Sequence, residues 1–200
     1  MDNPLLELSG TIAASLERLA AVSPETRDSL IHLRESAEHA RAAPYRATPH
    51  GYAPLVARAI EAGRDGPYRE ILERLAPVHA SLPWVYHYAP RSPAEELADR
   101  IAFAELIGPD GPLWAPGCRV GFTVVAEQTA YPLHSHPAVE LYLVLAGRAE
   151  WSTPTCNRRV PPGDLVLHRS DEPHSMRTSD EPLLALWGWR GDIDSPAVYV

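Results

Sequence analysis

Apolar residues recur at helical spacing through the first part of the chain and at strand spacing through the rest. Leu5, Leu8, Ile12, Leu16 and Leu19 fall on one face of a 3.6-residue period, which predicts a helix over 4–19. Ser23-Pro24-Glu25 reads as a helix start, with serine as N-cap and proline at the first helical position. A second helix is therefore predicted from there to about Ala42, before Pro44. Shorter helices are predicted over 52–60 and 67–75, and Ser92-Pro93-Ala94-Glu95 repeats the start signal for a brief one. The run Ile101–Ile107 has a helical alternative, but Gly108-Pro109-Asp110-Gly111 after it is turn chemistry, and we assign it to a strand. From Cys118 onward, short runs rich in Val, Leu, Trp and Tyr are separated by Pro/Gly clusters, and strands are predicted at about 118–128, 138–146, 148–153, 164–168, 174–178 and 183–190. Short antiparallel strands with regular turns make a sandwich or barrel. The expected organisation is a helical segment over 1–92 packed on a mainly β barrel over 93–200.

Composition narrows this only slightly. The 21 prolines fall at segment edges, consistent with short strands and defined turns. All 18 basic residues are arginine, against 26 acidic ones, and the net charge of −8 argues against a nucleic-acid partner. No stretch approaches the roughly 20 apolar residues of a membrane helix. Met1-Asp2-Asn3-Pro4 lacks the basic start and apolar core of an export leader. Cys118 and Cys156 form no CxxC and no disulfide framework, so the reducing cytoplasm is the expected compartment.

The candidate chemistry lies between His134 and Gly147. His134, His136, Glu140, Tyr142 and Val144 share parity, so an extended chain aims them one way, although Pro137 interrupts strict register. Two imidazoles and a carboxylate on one face are ready ligands for Zn, Fe, Mn, Ni or Co. A further ligand must come from elsewhere, and His174, after the Pro162-Gly163-Asp164 turn and the strand it opens, is the candidate. His168 fits no such slot and reads as packing, with a place on the pocket wall as the alternative. His32, His39, His50, His79 and His87 have no partner spacing and are expected to be surface or packing residues. On the opposite face of the same strand, Leu141, Leu143 and Leu145 need a cover, because burying a leucine is worth roughly 1.5–3 kcal/mol. The N-terminal helices, or the second subunit of a homodimer, must supply it.

These residues carry a resemblance to the cupin superfamily of double-stranded β-helix, jelly-roll-like barrels. Its first motif is HxH, three or four residues, Glu, six residues, Gly, and the chain matches it from His134 to Gly147. Its second motif places a histidine eleven residues after a glycine, as Gly163 and His174 are placed. The chain departs from the family at Gln128, Arg169 and Asp171, which stand where the family often has glycine, proline and glycine. The resemblance implies one divalent metal ion on His134, His136, Glu140 and His174.

Over about residues 80–195 the chain further resembles the cupin-type dimethylsulfoniopropionate (DMSP) lyases of the DddQ branch. The matching features are Tyr131-Pro132-Leu133-His134-Ser135-His136, the Glu140-Leu141-Tyr142 step and the closing Trp187-Gly188-Trp189-Arg190-Gly191-Asp192-Ile193. This resemblance implies β-elimination of DMSP to dimethyl sulfide and acrylate, with Tyr142 as base and Tyr131 assisting in the pocket. A free phenol has a pKa near 10, and a nearby metal cation lowers it by favouring the phenolate. Tyr131, Trp151, Trp187 and Trp189 are candidates for the substrate wall, since aromatic faces stabilise a sulfonium by cation–π attraction. Trp187 and Trp189 remain divided between that wall and the core, and Trp84, Tyr86 and Tyr88 form an aromatic cluster in the connector. The competing classes are another metal cupin, a dioxygenase or isomerase on a small carboxylate, and a non-catalytic small-molecule binder.

Overall fold

The computed structural model describes residues 3–47, 50–86 and 97–200. Helix α1 spans Pro4–Val22, α2 Arg27–His39, α3 Ala53–Ala62 and α4 Arg69–Leu75, with a short 3-10 turn at His79–Ser81. Strand β1 is the short piece Arg41–Ala42, between α2 and α3. The barrel strands are β2 (Ile101–Ile107), β3 (Leu113–Trp114), β4 (Cys118–Val125), β5 (Ala130–Ser135), β6 (Val139–Ala146), β7 (Ala149–Ser152), β8 (Asn157–Val160), β9 (Leu165–His168), β10 (His174–Thr178), β11 (Leu183–Arg190) and β12 (Val198–Tyr199).

One helix boundary differs from the sequence reading. Asn3 caps α1 by accepting the Leu5 N–H, and Pro4 occupies the first turn, where its missing N–H costs nothing. Ser23-Pro24 does not open α2. Ser23 closes α1 by donating its N–H to Leu19 O, residues 24–26 form a turn, and α2 starts at Arg27 and stops at His39. The serine N–H is consumed by the preceding helix, so the local start signal serves as a corner. Ile101–Ile107 is a strand, as the Gly-Pro turn after it implied. The brief helix expected at Ser92-Pro93-Ala94-Glu95, the boundary at 92/93, His87 and Tyr88 lie outside the described residues.

The strands form two sheets. The larger runs β1-β3-β2-β4-β11-β6-β9 and the smaller β12-β5-β10-β7-β8. Alternation along each strand of the larger sheet divides its side chains between two environments. On its outer face Ala102, Ala104, Leu106, Val120, Phe122, Val124, Leu141, Leu143, Leu145, Leu184 and Leu186 pack with Leu8, Ile12, Leu16, Leu30, Leu33, Val56, Ile71 and Leu72 of the helices. The helices thus cover the leucine face of β6. The approach is close enough that a Cβ on Gly188 would come within 2.3 Å of Leu33 Cδ1, so α2 seats on β11 through a glycine. On the inner face Ile101, Phe103, Val125, Tyr142, Val144, Leu183, Ala185 and Trp187 meet Tyr131, Trp151, Val160 and Met176 of the smaller sheet.

The backbone explains two of the three departures from the cupin motifs. Gln128 and Asp171 both keep positive φ, 52° and 60°, at positions where the family often has glycine. The left-handed turn is retained and only the side chain differs. Asp171 N–H donates to His136 O at 2.9 Å, which ties the second-motif loop to the first.

Candidate active site

The site assembles where the two sheets face each other. Glu140 and Tyr142 come from the inner face of β6 in the larger sheet. His134 on β5 and His174 on β10 are paired residues of the smaller sheet, and His136 stands in the link between β5 and β6. All four ligand candidates are nearly or fully buried, as is Tyr142.

Each of the three motif histidines is oriented in the same way. His134 Nδ1 lies 2.9 Å from Pro132 O, His136 Nδ1 3.0 Å from Ala138 O and His174 Nδ1 2.9 Å from Glu172 O. A carbonyl only accepts, so each Nδ1 carries the proton and each Nε2 presents a lone pair in the neutral ring. His136 Nε2 is 3.0 Å from Glu140 Oε2, and His174 Nε2 approaches the same oxygen at 3.2 Å without hydrogen-bond geometry. Two imidazole lone pairs and a buried carboxylate oxygen thus converge with no proton donor among them when both rings are neutral. Such a cluster demands a cation, and the donor set of two nitrogens and one carboxylate suits a divalent transition metal. His136, Glu140 and His174 have ligand atoms within 4.8 Å of one another, and among the described residues His134 stands outside that trio. The His134 ring is flanked by Tyr131 at 4.1 Å and His174 at 4.1 Å between centroids.

Without a metal, a proton serves as the cation. Burial opposes the charged form of His136, but the hydrogen bond and charge of Glu140 outweigh it and raise the pKa. Burial likewise opposes ionised Glu140, yet the hydrogen bond to His136, the close approach of His174 and the charge of both rings hold its carboxyl well below the usual range. For His134, burial, with the charge of His174 adding to it, outweighs the hydrogen bond to Pro132 O and the charge of Glu140 and pushes the pKa down to about 3.

A cavity of about 330 Å³ opens beside the trio, walled by Phe103, Tyr131, Tyr142, Trp187 and Trp189 together with His134, His136 and Glu140. Trp189 donates its indole N–H to Glu140 Oε1 at 2.7 Å, and its ring lies 4.3 Å from that of His136. It therefore orients a ligand candidate as well as lining the cavity. Trp187, almost fully buried, lines the cavity next to Tyr142, its cross-strand neighbour. Trp151 is placed differently from the sequence expectation. It is not among the cavity-lining residues; it packs 5.1 Å from the Tyr142 ring and donates its N–H to His168 at 3.0 Å.

Sequence reasoning missed the clasp at the cavity mouth. Arg119, opposite Trp189 on β4, donates to Glu105 and to Asp110 at 2.7 Å, and its Nε–H donates to Ile193 O at 2.9 Å. That last bond holds the segment 193–197, which lines the mouth, between β11 and β12. The only sequence signal was an arginine inside an otherwise apolar strand, and its partners lie 9, 14 and 74 residues away.

A helix-covered, two-sheet barrel with a His–Glu–His cluster on its inner wall defines a cupin with a metal-competent centre. Comparison with known proteins then specifies the family. The profile of the dimethylsulfoniopropionate lyase family matches residues 23–185, and the chain belongs to that family. It is 36% identical over 134 residues to dimethylsulfoniopropionate lyase DddQ of Ruegeria pomeroyi, an alignment spanning 66% of each chain. The chain therefore covers just under two thirds of that relative's length. The crystal structure of DMSP lyase DddQ from Ruegeria pomeroyi DSS-3 superimposes with a TM-score of 0.78 at 30% identity, over 100% of this chain and 98% of that one. A chain from the crystal structures of the DMSP lyases RdDddP and RnDddQII shares the fold, with a TM-score of 0.75 at 23% identity over 98% and 99% of the two chains. No helix among the described residues is long and apolar enough to cross a membrane.

Proposed function

We propose that the chain is a metal-dependent DMSP lyase that cleaves DMSP to dimethyl sulfide and acrylate by β-elimination. The observation that supports this reading best is the placement of Tyr142. It lies two residues from Glu140 on the same inner face and lines the cavity that His136 and Glu140 also line. His136, Glu140 and His174 would hold one divalent ion, with His134 or Tyr142 as the further candidate ligand. Bound there, the ion supplies Lewis-acid polarisation of a substrate carboxylate, which acidifies the adjacent C–H.

The protein residues do the rest. Ionised Tyr142 accepts the α-proton, the C–H electron pair becomes the new C=C bond, and the Cβ–S bond breaks with its electrons leaving on dimethyl sulfide. Tyr131, flat against His134, closes the wall beside the base. Trp187 and Trp189 face the cationic sulfonium with aromatic surface, a contact worth about 0.5–2 kcal/mol. No redox change occurs and no oxygen is consumed, which separates elimination from dioxygenase chemistry.

The test is headspace detection of dimethyl sulfide from purified protein and DMSP, under air and under argon, with and without chelator. The expected result is equal evolution in both atmospheres and loss on chelation. Dependence on oxygen would favour an oxygenase, and no product with any divalent metal would leave a binding protein.

A further inference from the structure

Among the described residues, His168 is the one histidine of the barrel interior that neither cupin motif includes. It is fully buried at the end of β9, directly opposite Glu140 in the β6–β9 register, and it does not line the cavity. Its ring lies flat on the ring of His174, with 3.8 Å between centroids and 9° between planes. On the other side Trp151, held by β7, donates its indole N–H to His168 Nε2 at 3.0 Å.

This arrangement inverts that of the three motif histidines. They spend Nδ1 on a backbone carbonyl and keep Nε2 for the metal. His168 spends Nε2 on an indole N–H, which has no other role than donor, so the Nε2 lone pair is occupied and the proton resides on Nδ1. His168 therefore cannot compete for the ion through Nε2, although it touches a ligand. It offers that ligand a flat, neutral surface whose own orientation is fixed by a hydrogen bond.

The geometry points to His168 as a positioning residue: anchored by Trp151, it backs the His174 imidazole and keeps His174 Nε2 aimed at Glu140. This rests on the metal reading above and deepens it by adding a third layer, Trp151 to His168 to His174. Among the described residues one hydrogen bond fixes the His174 ring, from Nδ1 to Glu172 O, and a ring held at one atom can still tilt about it. Stacking against an anchored plane removes that freedom. Outer-layer partners of metal ligands change metal affinity by about 10–100-fold when lost.

Two substitutions separate the plane from the hydrogen bond. His168→Gln retains an acceptor for Trp151 and loses the ring; His168→Phe retains the ring and loses the acceptor. The readouts are the Co(II) dissociation constant by chelator competition, the visible spectrum of the Co(II) protein and the melting temperature of the metal-free protein. Positioning by stacking gives H168Q a melting temperature near wild type, a Co(II) affinity lower by about 10–100-fold and an altered spectrum. It gives H168F a lower melting temperature, because the buried Trp151 N–H loses its acceptor, with a loss of Co(II) affinity of about threefold, smaller than in H168Q.

An H168Q protein that binds Co(II) like wild type with an unchanged spectrum overturns the proposal and leaves His168 as an acceptor for Trp151. Equal loss of affinity in H168F and H168Q overturns the stacking role as well. Should H168Q fail to fold, Trp151→Phe reads the same link from its other end. At least a roughly threefold loss of Co(II) affinity supports anchoring, and an unchanged affinity overturns it. Failure of wild type itself to bind Co(II) sinks the metal reading and this one together, whereas tight wild-type binding with unchanged variants sinks this one alone.

Discussion

The two faces of strand β6 are built from adjacent residues and obey opposite rules. Leu141, Leu143 and Leu145 point outward into the helical layer, where they join one apolar cluster with the leucines, isoleucines and valines of the helices. Glu140 and Tyr142 point inward, and there a carboxylate, four histidines and several indoles share a largely buried space. The outer face gains stability from burial without direction. The inner face spends stability on orientation, since each polar atom there needs a partner at a stated place. A period of two is enough to keep such different chemistries apart on one strand.

The largest expected break in this comparison is Glu140→Gln. It removes the inner charge while keeping the volume, so bound metal and dimethyl sulfide production should both vanish. The metal-free protein should melt lower than wild type, because the substitution removes one partner of the buried His136–Glu140 pair. Elemental analysis and calorimetry check the two halves, and retained metal would remove Glu140 from the ligand set.

Next is Tyr142→Phe, which deletes one hydroxyl from the same face. The turnover rate should fall by about 10²–10⁴-fold with metal content unchanged, and exchange of the substrate α-hydrogen with solvent deuterium should stop. Near wild-type turnover would shift the base role to Tyr131 or to another group.

Leu143→Ala tests the outer face. Stability should drop by about 2–5 kcal/mol, measured by denaturant unfolding, while metal affinity of the folded protein is unchanged. A large loss of affinity would mean that the helical layer and the site are not separable.

Acid should weaken the inner face selectively. Burial lowers His134 and His168 from the ordinary 6.5 to about 3, so the unfolded chain takes up protons that the folded chain refuses. Their contribution is complete above about pH 6.5 and is lost as pH falls toward about 3. The melting temperature of the metal-free protein should decline across that window, and less steeply in H168Q; identical slopes would contradict the burial of neutral His168.

The smallest expected effect belongs to Trp189→Phe. It keeps an aromatic face and deletes the N–H that Glu140 accepts. Metal affinity should fall by about tenfold. Preference for a sulfonium ligand over a neutral acid of equal length, such as 4-methylpentanoate, should change little, because the π surface remains. Loss of that preference, measured by competition binding, would place the sulfonium on the indole itself.

Much of the site was legible because its signals are local. His134, His136, Glu140 and Tyr142 lie within nine residues, and their spacing along one extended segment already implies a shared direction. The apolar period of 4–19 and the turn chemistry after Ile107 were equally local, and both elements form where expected. No strand was predicted over β5, because Pro132 and His134 obscure its alternation, and the Ser23-Pro24 corner imitated a helix start.

By itself, the sequence determined the strand and helix classes, the motif residues that are the ligand candidates and the need to cover the leucine face, since each follows from a period or a spacing over a few residues. Only the tertiary structure decided what covers that face, that Trp151 binds His168 instead of lining the cavity, that Trp189 orients Glu140, and that Arg119 fastens the segment 193–197. These contacts join strands from different sheets or distant segments. They depend on register and on the separation of the two layers, and neither quantity is written in the spacing of any single segment.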